Sequence, residues 1–313
     1  MELDNKLKGL PSLVLLQAMG DNLISLNMLD QINEKFLILG TKHTYDIALL
    51  MESKLHERIH VLYDEIPSFY DIRNSNILNV VRDVIKFRKF IKDNNVKKLV
   101  FEKSDFRVRL LTFGIDVSVL APTDVKKIYG ARKNLYSEYF REELTLLSCV
   151  SNYDDVKKIL LSPTTRVSAK NITRTNLLDM ISVLHANGFF VQLIDYDASF
   201  SDLENIVDDY YTNTSLYDVR NLIKNCDMFI GADSFLVHLA HYYRKQFFIV
   251  FNVLNTSFLP PGCVDIKNYI VTPDASDFKA ELIDRFISIG LIESSRENSC
   301  VNRRKCSWVN SYP

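Results

Sequence analysis

The sequence predicts an α/β protein built from two doubly wound, Rossmann-like domains that face each other across a cleft. Short β-rich runs alternate with helical patterns along the chain, which is the signature of parallel βαβ units. The alternation is interrupted once, at the polar run Ser151–Asp155, and 313 residues are an ordinary length for two domains. We therefore expect domains over residues 1–150 and 151–313, with a linker at Ser151–Asp155 and a C-terminal tail that packs back on the first domain.

The first domain is expected to alternate strands and helices and to end in a polar helical segment at Asn134–Leu147. Its best-defined helix is Asn76–Asn94, where apolar residues from Ile77 to Ile91 recur near a 3.6-residue period. The predicted strands are Ser12–Met19, Lys35–Leu39, Arg58–Tyr63, Lys97–Glu102 and Val117–Ala121. The other predicted helices are Asn22–Asn33, Tyr45–Ser53 and Phe106–Phe113.

The second domain repeats the alternation after the linker. Its predicted strands are Lys158–Leu161, Phe189–Asp195, Asp227–Gly231, Phe247–Phe251 and Tyr269–Val271. Its predicted helices are Asn171–Asn187, Ser215–Asn225, Phe235–Tyr243 and Phe278–Ile289. In sheets of this kind, ligands bind outside the carboxyl ends of the strands, so functional residues are expected in the strand-to-helix turns.

Composition excludes several function classes. The chain has 47% hydrophobic and 25% charged residues and a formal charge of -1, which is typical of a soluble globular protein and gives no reason to expect nucleic-acid binding. It has only nine glycines, and the closest two, Gly9 and Gly20, are eleven residues apart. The sequence therefore lacks the dinucleotide fingerprint, the P-loop and the nucleophile elbow, each of which needs two nearby glycines.

The cysteines and the N-terminus indicate a cytoplasmic protein. Five cysteines without any C-x-x-C spacing predict reduced thiols, with neither a disulfide framework nor a zinc ribbon. The apolar run Leu13–Leu16 is too short for a signal peptide or a membrane span.

The first candidate site is the turn from Gly231 to His238. An apolar strand ends there in Asp233 and Ser234, and a helix follows. Ser234 is a candidate N-cap, and the free amides of the first helical turn would form an anion site that His238 could complete. The alternative is a capped helix whose histidine packs against the neighbouring strand.

The second candidate site is the turn from Ser162 to Lys170, which also follows a buried strand. Thr164, Thr165 and Lys170, together with Arg166, supply hydroxyls and cations that suit a pyrophosphate. Taken alone, the turn is explained more simply as a solvated polar loop.

The third candidate site is Asp21, at the end of the first predicted strand. It is either the N-cap of the following helix or a carboxylate base, which is ionised at neutral pH and can accept the proton of an alcohol.

A fourth motif, His56-Glu57-Arg58-Ile59-His60, matches the H-E-x-x-H pattern of zinc proteases. Those enzymes need both histidines on one helical face, but His60 opens a predicted strand. We therefore do not expect a metalloprotease or any metal site.

With these turns identified, the chain resembles the heptosyltransferase-like family of glycosyltransferases, family 9, which has the GT-B fold. The run from Thr214 to Ala240, followed by Lys245 and Phe247–Phe251, is similar to the family's C-terminal motif. Within that run, Asp233, Ser234, His238, Leu239 and Ala240 stand in matching positions. Phe235 departs from the motif, because the family has glycine there.

The two other turns resemble family features as well. Met19-Gly20-Asp21 is similar to the Gly-Asp turn after the family's first strand, where the aspartate serves as the base. Thr164, Thr165 and Lys170 resemble the family's phosphate-binding threonine and lysine, although Lys170 lies one residue later than expected.

The resemblance implies an inverting, metal-independent transfer of a sugar from a nucleotide-diphosphate donor to a hydroxyl, with no other cofactor. Asp21 would be the base, and the C-terminal domain would bind the donor. The N-terminal domain would bind the acceptor, a lipopolysaccharide, O-antigen or lipid-linked glycan. The cations of helix Asn76–Asn94 could then face an anionic membrane surface at the cytoplasmic side, although an ordinary solvated helix face is the alternative.

Two further functions stay open on the sequence. A nucleotide-sugar epimerase with the same fold would share the donor site but transfer nothing. A non-catalytic nucleotide-sugar-binding or scaffold protein is also conceivable, because Phe235 replaces a glycine beside the expected phosphates.

Overall fold

The chain folds into two compact units, each with its own parallel sheet. The computed structural model describes residues 9–70, 72, 75–122, 127–272 and 277–293. Unit 1 comprises Met1–Ser148 and Asn255–Pro261, and unit 2 comprises Cys149–Leu254 and Gly262–Pro313. The predicted α/β class with two parallel sheets is thereby confirmed. Cys300, Cys306 and the C-terminal tail expected to pack on the first domain lie outside the described residues.

Unit 1 is built on a five-stranded sheet in which every strand pair is parallel. Its strands are β1 (Ser12–Leu15), β2 (Leu37–Thr41), β3 (Ile59–Tyr63), β4 (Lys98–Phe101) and β5 (Ser118–Leu120). The strand order is β3-β2-β1-β4-β5, so the chain starts in the middle and builds outward in both directions. Strands β1 and β2 are buried throughout, which explains their continuous apolar sequences.

Helices connect the strands of unit 1 and cover its sheet. They are α1 (Met19–Leu29), α2 (Lys42–Leu50), α3 (Ile77–Asp93), α4 (Phe106–Thr112) and α5 (Ile128–Phe140). Side-chain caps define three helix starts, because Thr41, Asn76 and Asp105 each accept a hydrogen bond from a backbone N–H of the first turn.

Helix α3 matches its predicted position but carries apolar residues on two faces. Val80, Val84, Phe87 and Ile91 pack into the core of unit 1. Ile77, Val81 and Ile85, which belong to the same 3.6-residue pattern, are exposed. The apolar period therefore predicted the helix correctly and does not by itself tell which side is buried.

Unit 2 is built on a six-stranded sheet, again with parallel pairs only. Its strands are β6 (Lys158–Ser162), β7 (Phe190–Asp195), β8 (Asp209–Thr212), β9 (Met228–Ala232), β10 (Gln246–Phe251) and β11 (Tyr269–Val271). The order is β11-β10-β9-β6-β7-β8, which is the doubly wound order of dinucleotide-binding folds.

Strand β9 packs closely against β6 through a glycine. A Cβ added at Gly231 would lie 2.9 Å from the backbone oxygen of Ser162 and 2.8 Å from the ring of Phe229. A larger residue there would separate the two strands at the edge where the candidate residues lie.

The helices of unit 2 are α6 (Arg174–Ala186), α7 (Leu216–Asn225), α8 (Phe235–Tyr242), α9 (Cys263–Ile266) and α10 (Phe278–Ser288). Ser215 caps α7 with a capping box, and Ser234 caps α8 as predicted. The core lies between the sheet and these helices and includes Tyr153, whose side chain is buried there. The run Ser151–Asp155, predicted as a linker, therefore contributes a residue to the core of unit 2.

Three sequence predictions need correction. The helix predicted at Asn134–Leu147 is α5, which ends at Phe140 because Arg141 adopts a left-handed conformation with φ 55°. The first strand ends at Leu15, not at Met19, which is the first residue of α1. Strand β8 was missed, because an edge strand of three partly buried residues and one exposed residue leaves little apolar pattern.

The described cysteines, Cys149, Cys226 and Cys263, are free thiols. The Sγ atoms of Cys149 and Cys263 lie 3.3 Å apart within unit 2. Burial raises the pKa of the Cys226 thiol to about 12.

Among the residues described, none of the helices combines the length and the apolar character that a membrane crossing requires.

Candidate functional site

Each sheet has one position where its strand order reverses, and the candidate residues follow the strands at that position. In unit 1 the reversal lies between β1 and β4, because β1 leads toward β2 on one side and β4 begins the other side. In unit 2 it lies between β6 and β9 for the same reason. The crevice outside the carboxyl ends of such strands is where doubly wound sheets bind ligands.

Asp21 follows β1 and lies in the first turn of α1. The N-cap of α1 is Ala18, and the backbone N–H of Asn22 donates to its oxygen at 3.0 Å. The alternative that Asp21 is the N-cap is therefore wrong. Its place in the first turn still brings the carboxylate near the positive end of the helix dipole.

An arginine from α5 holds the Asp21 carboxylate. Helix α5 packs against α1, and Arg132 Nη2 donates to Asp21 Oδ1 at 2.7 Å. Arg132 also donates to the Asp21 backbone oxygen. The ammonium of Lys103 lies 3.9 Å from the same Oδ1. Within the described part of the chain, Asp21 Oδ2 accepts no hydrogen bond, and the side chain keeps 13% of its surface exposed.

Behind Asp21, the guanidinium of Arg132 reaches a second, fully buried carboxylate. Glu102 follows β4, and its Oε2 lies 3.1 Å from Arg132 Nη2. Gln17 donates to Oε2 at 2.9 Å, and the hydroxyls of Ser25 and Tyr136 donate to Oε1. Arg132 and Tyr136 are four residues apart on α5 and therefore share a face of that helix. The Arg132 guanidinium and the Tyr136 hydroxyl therefore both contact the Glu102 carboxylate.

Burial determines how charge is distributed in this network. Burial raises the pKa of Glu102. Arg132 and the hydroxyl donors lower it, but their effect is smaller, so the pKa stays above its ordinary value. Burial disfavours the charge of Arg132, but the two carboxylates outweigh it and raise the pKa of that guanidinium. The network therefore holds a permanent cation, with Asp21 as its partner closer to solvent and Glu102 as its buried partner.

In unit 2 the turn after β6 is held by its own polar groups. The Thr165 hydroxyl donates to the oxygen of Val167 at 2.8 Å and accepts from its N–H at 3.1 Å. The N–H of Thr165 donates to Asn171 Oδ1 at 2.7 Å. Thr164, next to it, is partly buried. Arg166 is exposed.

The turns after β6 and β9 meet through an ion pair. Lys170 Nζ lies 2.6 Å from Asp233 Oδ2, and the lysine side chain is 41% exposed. Ser234, the next residue, caps α8 by accepting from the N–H of Leu236 at 3.3 Å. A cation accessible to solvent thus lies beside the N-terminus of a helix, which is an arrangement that attracts anions.

His238 is placed deeper than the other candidates. It lies in the second turn of α8 and is 4% exposed, so its side chain is part of the interior of unit 2. Phe235, where the resembling family has glycine, is the first residue of α8 and is partly buried. The structure therefore brings Lys170 and Asp233 together, with Ser234 next to Asp233 in the chain, while His238 lies in the interior, one turn into α8.

Sequence reasoning missed Arg132 and Glu102. Glu102 was the last residue of a predicted strand, and Arg132 lay before the start predicted for its helix. Sequence reasoning also missed Asn252, after β10, whose Nδ2 donates to the backbone oxygens of Ala169 and Asn171 and so supports the Lys170 turn. A polar residue directly after an apolar strand, as Glu102 follows β4 and Asn252 follows β10, is the signal that could have indicated both.

The H-E-x-x-H pattern does not form a zinc site. His56 lies in a 3-10 turn and its Nδ1 is 2.7 Å from the oxygen of Ser53. His60 lies in β3 and stacks on Phe90 with ring centroids 4.7 Å apart. The two histidines therefore do not share a helical face. In the described ranges, no cluster of three or more His, Cys, Asp or Glu side chains has an arrangement that could hold a metal ion.

Comparisons with known proteins give the fold. Neither a protein-family model nor a curated protein matches the sequence. Among solved structures, the chain is similar to E. coli heptosyltransferase WaaC with ADP-2-deoxy-2-fluoro heptose, at 14% identity and a TM-score of 0.63 over 90% of this chain and 99% of that one. It is also similar to a glycosyl transferase of family 9 from Veillonella parvula, at 11% identity and a TM-score of 0.62 over 94% and 99%.

A third similar structure belongs to another enzyme class. It is UDP-GlcNAc 2-epimerase from Neisseria meningitidis bound to UDP-GlcNAc, at 10% identity and a TM-score of 0.51 over 97% of this chain and 100% of that one. The fold is therefore that of the heptosyltransferases and is shared with an epimerase.

Proposed function

We propose that the chain is an inverting, metal-independent glycosyltransferase that moves a sugar from a nucleotide-diphosphate donor to a hydroxyl of a bacterial surface glycan. The observation that carries the proposal is the pair of clusters at the two strand-order reversals, within a fold shared with heptosyltransferases. One cluster offers a carboxylate, and the other offers a cation beside a helix N-terminus. These are a base and an anion site.

Unit 2 binds the donor in this proposal. Lys170 and the first-turn amides of α8 take the negative charge of the diphosphate, with Thr164, Thr165 and Ser234 as hydroxyl partners and His238 supporting them from behind. Asp233 keeps the lysine directed toward the N-terminus of α8. The same groups stabilise the leaving diphosphate, so the reaction needs no metal ion. Because the similar WaaC structures contain ADP and an ADP-heptose analogue, we propose an ADP-linked heptose or a related hexose as the donor.

Unit 1 supplies the base. As the acceptor hydroxyl oxygen forms its bond to the anomeric carbon, the bond from that carbon to the diphosphate oxygen breaks and the hydroxyl proton passes to Asp21 Oδ2. Attack opposite the leaving group inverts the anomeric centre. Arg132 holds the other oxygen of Asp21, which fixes the orientation of the carboxylate.

The acceptor in this proposal is a glycan of the lipopolysaccharide or O-antigen type, free or linked to lipid. A nucleotide-sugar donor and a lipid-linked acceptor would place the reaction in the cytoplasm, at the inner face of the membrane.

The proposal is tested in two steps. First, thermal shift with ADP, UDP, GDP and CDP should show one diphosphate that raises the melting temperature, because a ligand that binds the folded state stabilises it. Second, the matching nucleotide sugar should release its diphosphate only when a glycan acceptor is present, and chelation by EDTA should leave that rate unchanged. Binding without any release in the presence of a range of core-glycan acceptors would contradict transfer and support a nucleotide-sugar-binding scaffold.

The second candidate function is a nucleotide-sugar epimerase, which the similarity to UDP-GlcNAc 2-epimerase favours. An epimerase would convert UDP-GlcNAc in the absence of any acceptor. NMR of the sugar after incubation with the protein alone separates the two functions, because a transferase leaves the donor configuration unchanged until an acceptor is added.

A further inference from the structure

Helix α3 presents an apolar face that no described residue of unit 1 covers. Leu78 is 72% exposed, Ile77 65% and Ile85 58%, and Val81 is about half exposed. The opposite face of the same helix already supplies the core. Single exposed apolar residues are normal on a protein surface, but a cluster of four large aliphatic side chains on one helix face is typical of a binding surface.

The apolar face continues onto α4. Arg88, on the edge of α3, donates to the backbone oxygens of Leu110 at 3.2 Å and Phe113 at 2.6 Å. These bonds hold the end of α4 against α3. Phe113 is 81% exposed, and Phe106 and Leu110 are exposed too. We call this surface, formed by the exposed residues of α3 and α4 with Phe113, the α3–α4 surface.

Cations surround these apolar side chains. The exposed basic residues of the two helices are Arg82, Lys86, Lys89, Lys92 and Arg109. The acidic residues of α3 are Asp83, which is buried and accepts from the N–H of Ser68, and Asp93 at the helix end. Arg82 Nε lies 3.3 Å from Asp83, and Lys86 lies over the ring of Tyr63. The surface is therefore both apolar and strongly positive, although the chain as a whole has a formal charge of -1.

We propose that the α3–α4 surface binds an anionic lipid bilayer. The aliphatic and aromatic side chains would enter the boundary between headgroups and acyl chains, and the cations would contact lipid phosphates, as in helices that lie in the membrane interface. A second copy of the chain fits the surface less well. In a symmetric dimer the same patch meets itself, so the cations of the two copies would face one another.

The binding of lipid vesicles tests this inference with the full chain. Sedimentation with vesicles of phosphatidylcholine alone and of phosphatidylcholine with phosphatidylglycerol should show binding only to the anionic vesicles. Salt at about 1 M should weaken it strongly, because the Debye length falls to ~3 Å. No donor or acceptor is present, so the result is independent of the proposed sugar transfer.

Matched variants separate the two contributions. Lys86→Gln with Lys89→Gln should weaken binding roughly 25-fold, at about 5-fold for each cation near an anionic surface. Leu78→Ser with Ile85→Ser should weaken it at least about tenfold through lost apolar burial. The controls are Lys35→Gln with Lys54→Gln, also exposed in unit 1, and Val253→Ser, exposed in unit 2. They should bind as the wild type does.

Three outcomes would overturn the inference. Equal binding to neutral and anionic vesicles would exclude recognition of anionic lipid. Unchanged binding of both surface variants would place the contact elsewhere. A dimer in solution that the same variants dissociate would assign the surface to a second copy of the chain.

Discussion

The candidate sites of the two units occupy the same position in their sheets and are built in opposite ways. In unit 1 the charged groups are buried, with 3% of the Arg132 side chain and 1% of the Glu102 side chain exposed. In unit 2 the Lys170 side chain is 41% exposed, and its partner Asp233 lies on a neighbouring turn. At the same position in the two sheets, unit 1 therefore has a site whose charged groups are held by buried contacts, and unit 2 has a site whose cation is accessible to a ligand.

This difference matches the two tasks in the proposed reaction. A base must be held in one orientation, and a buried guanidinium with several hydrogen bonds does that at a cost in desolvation. A diphosphate site must exchange its ligand in every cycle, and a partly exposed lysine suits that exchange. Four experiments would break or sharpen the comparison.

The largest effect is expected at Arg132. Arg132→Met removes the buried cation that Asp21 and the buried Glu102 share, and breaking a buried ion pair costs about 3–5 kcal/mol. The matched substitution in unit 2, Lys170→Met, should cost below about 1 kcal/mol, because solvent screens that pair. Urea unfolding of both variants measures the two free energies. Similar losses in the two variants would show that the sites do not differ as their burial indicates.

The second effect concerns ligand binding rather than folding. Lys170→Ala should weaken the binding of the nucleoside diphosphate by ~1.5–3 kcal/mol, the range for hydrogen bonds to charged groups. The control is Lys158→Ala, which removes a lysine from the opposite end of β6 and should leave the affinity unchanged. Calorimetry that finds equal affinity for the Lys170 variant and the wild type would exclude this lysine from the donor site.

The third effect concerns the contact between β6 and β9 beside the proposed donor site. Gly231→Ala should destabilise the protein by roughly 1–3 kcal/mol, as overpacking does, because the new Cβ would meet the Ser162 backbone. Gly130→Ala in α5 is the control, since no heavy atom lies within 4 Å of that added Cβ. It should stabilise the protein by about 0.5–1 kcal/mol. If Gly231→Ala left the free energy of unfolding unchanged, β6 and β9 would be able to move apart without loss of stability.

The smallest effect is a pH dependence in unit 1. Burial raises the pKa of Glu102 in the folded state, so the unfolded chain loses this proton first as the pH rises. The contribution of Glu102 to stability is therefore complete below about pH 4, near the ordinary glutamate value. It declines as the pH rises toward the raised native pKa.

Glu102→Gln does not titrate, so the stability of the wild type minus that of this variant should fall as the pH rises. Urea unfolding across acidic to neutral pH measures the difference. The control is Glu138→Gln, which changes an exposed residue of α5. A difference that rises with pH for Glu102 would mean that Arg132 outweighs burial.

Much of this account could be predicted from the sequence, and the rest could not for identifiable reasons. The alternation of strands and helices predicted the fold class. The Ser234 cap could be predicted because capping is a local interaction. The Arg132–Glu102 contact joins residues far apart in the chain, and no local pattern encodes such a pair. The predicted start of α5, at Asn134, was too late, because Gly130 lowers the helix propensity near the true start. The prediction therefore left Arg132 outside the helix and did not show that it shares a face with Tyr136.

The outer face of α3 shows a second limit. Apolar periodicity predicted the helix, but Ile77 and Ile85 are exposed while Val84 and Phe87 are buried. Which side faces the core depends on the elements packed against the helix, and a single-helix pattern does not contain that information.

The central claim, that Asp21 is the base, is tested most directly by the turnover of Asp21→Asn. The amide oxygen can still accept from Arg132, but that buried cation loses one of its two carboxylate partners. We therefore expect a chain that still folds with a lower melting temperature, and a diphosphate affinity, measured by calorimetry, equal to that of the wild type. The turnover should fall by ~10²–10⁴, the contribution of a positioned general base. Turnover equal to that of the wild type, with the same donor and acceptor, would contradict the claim.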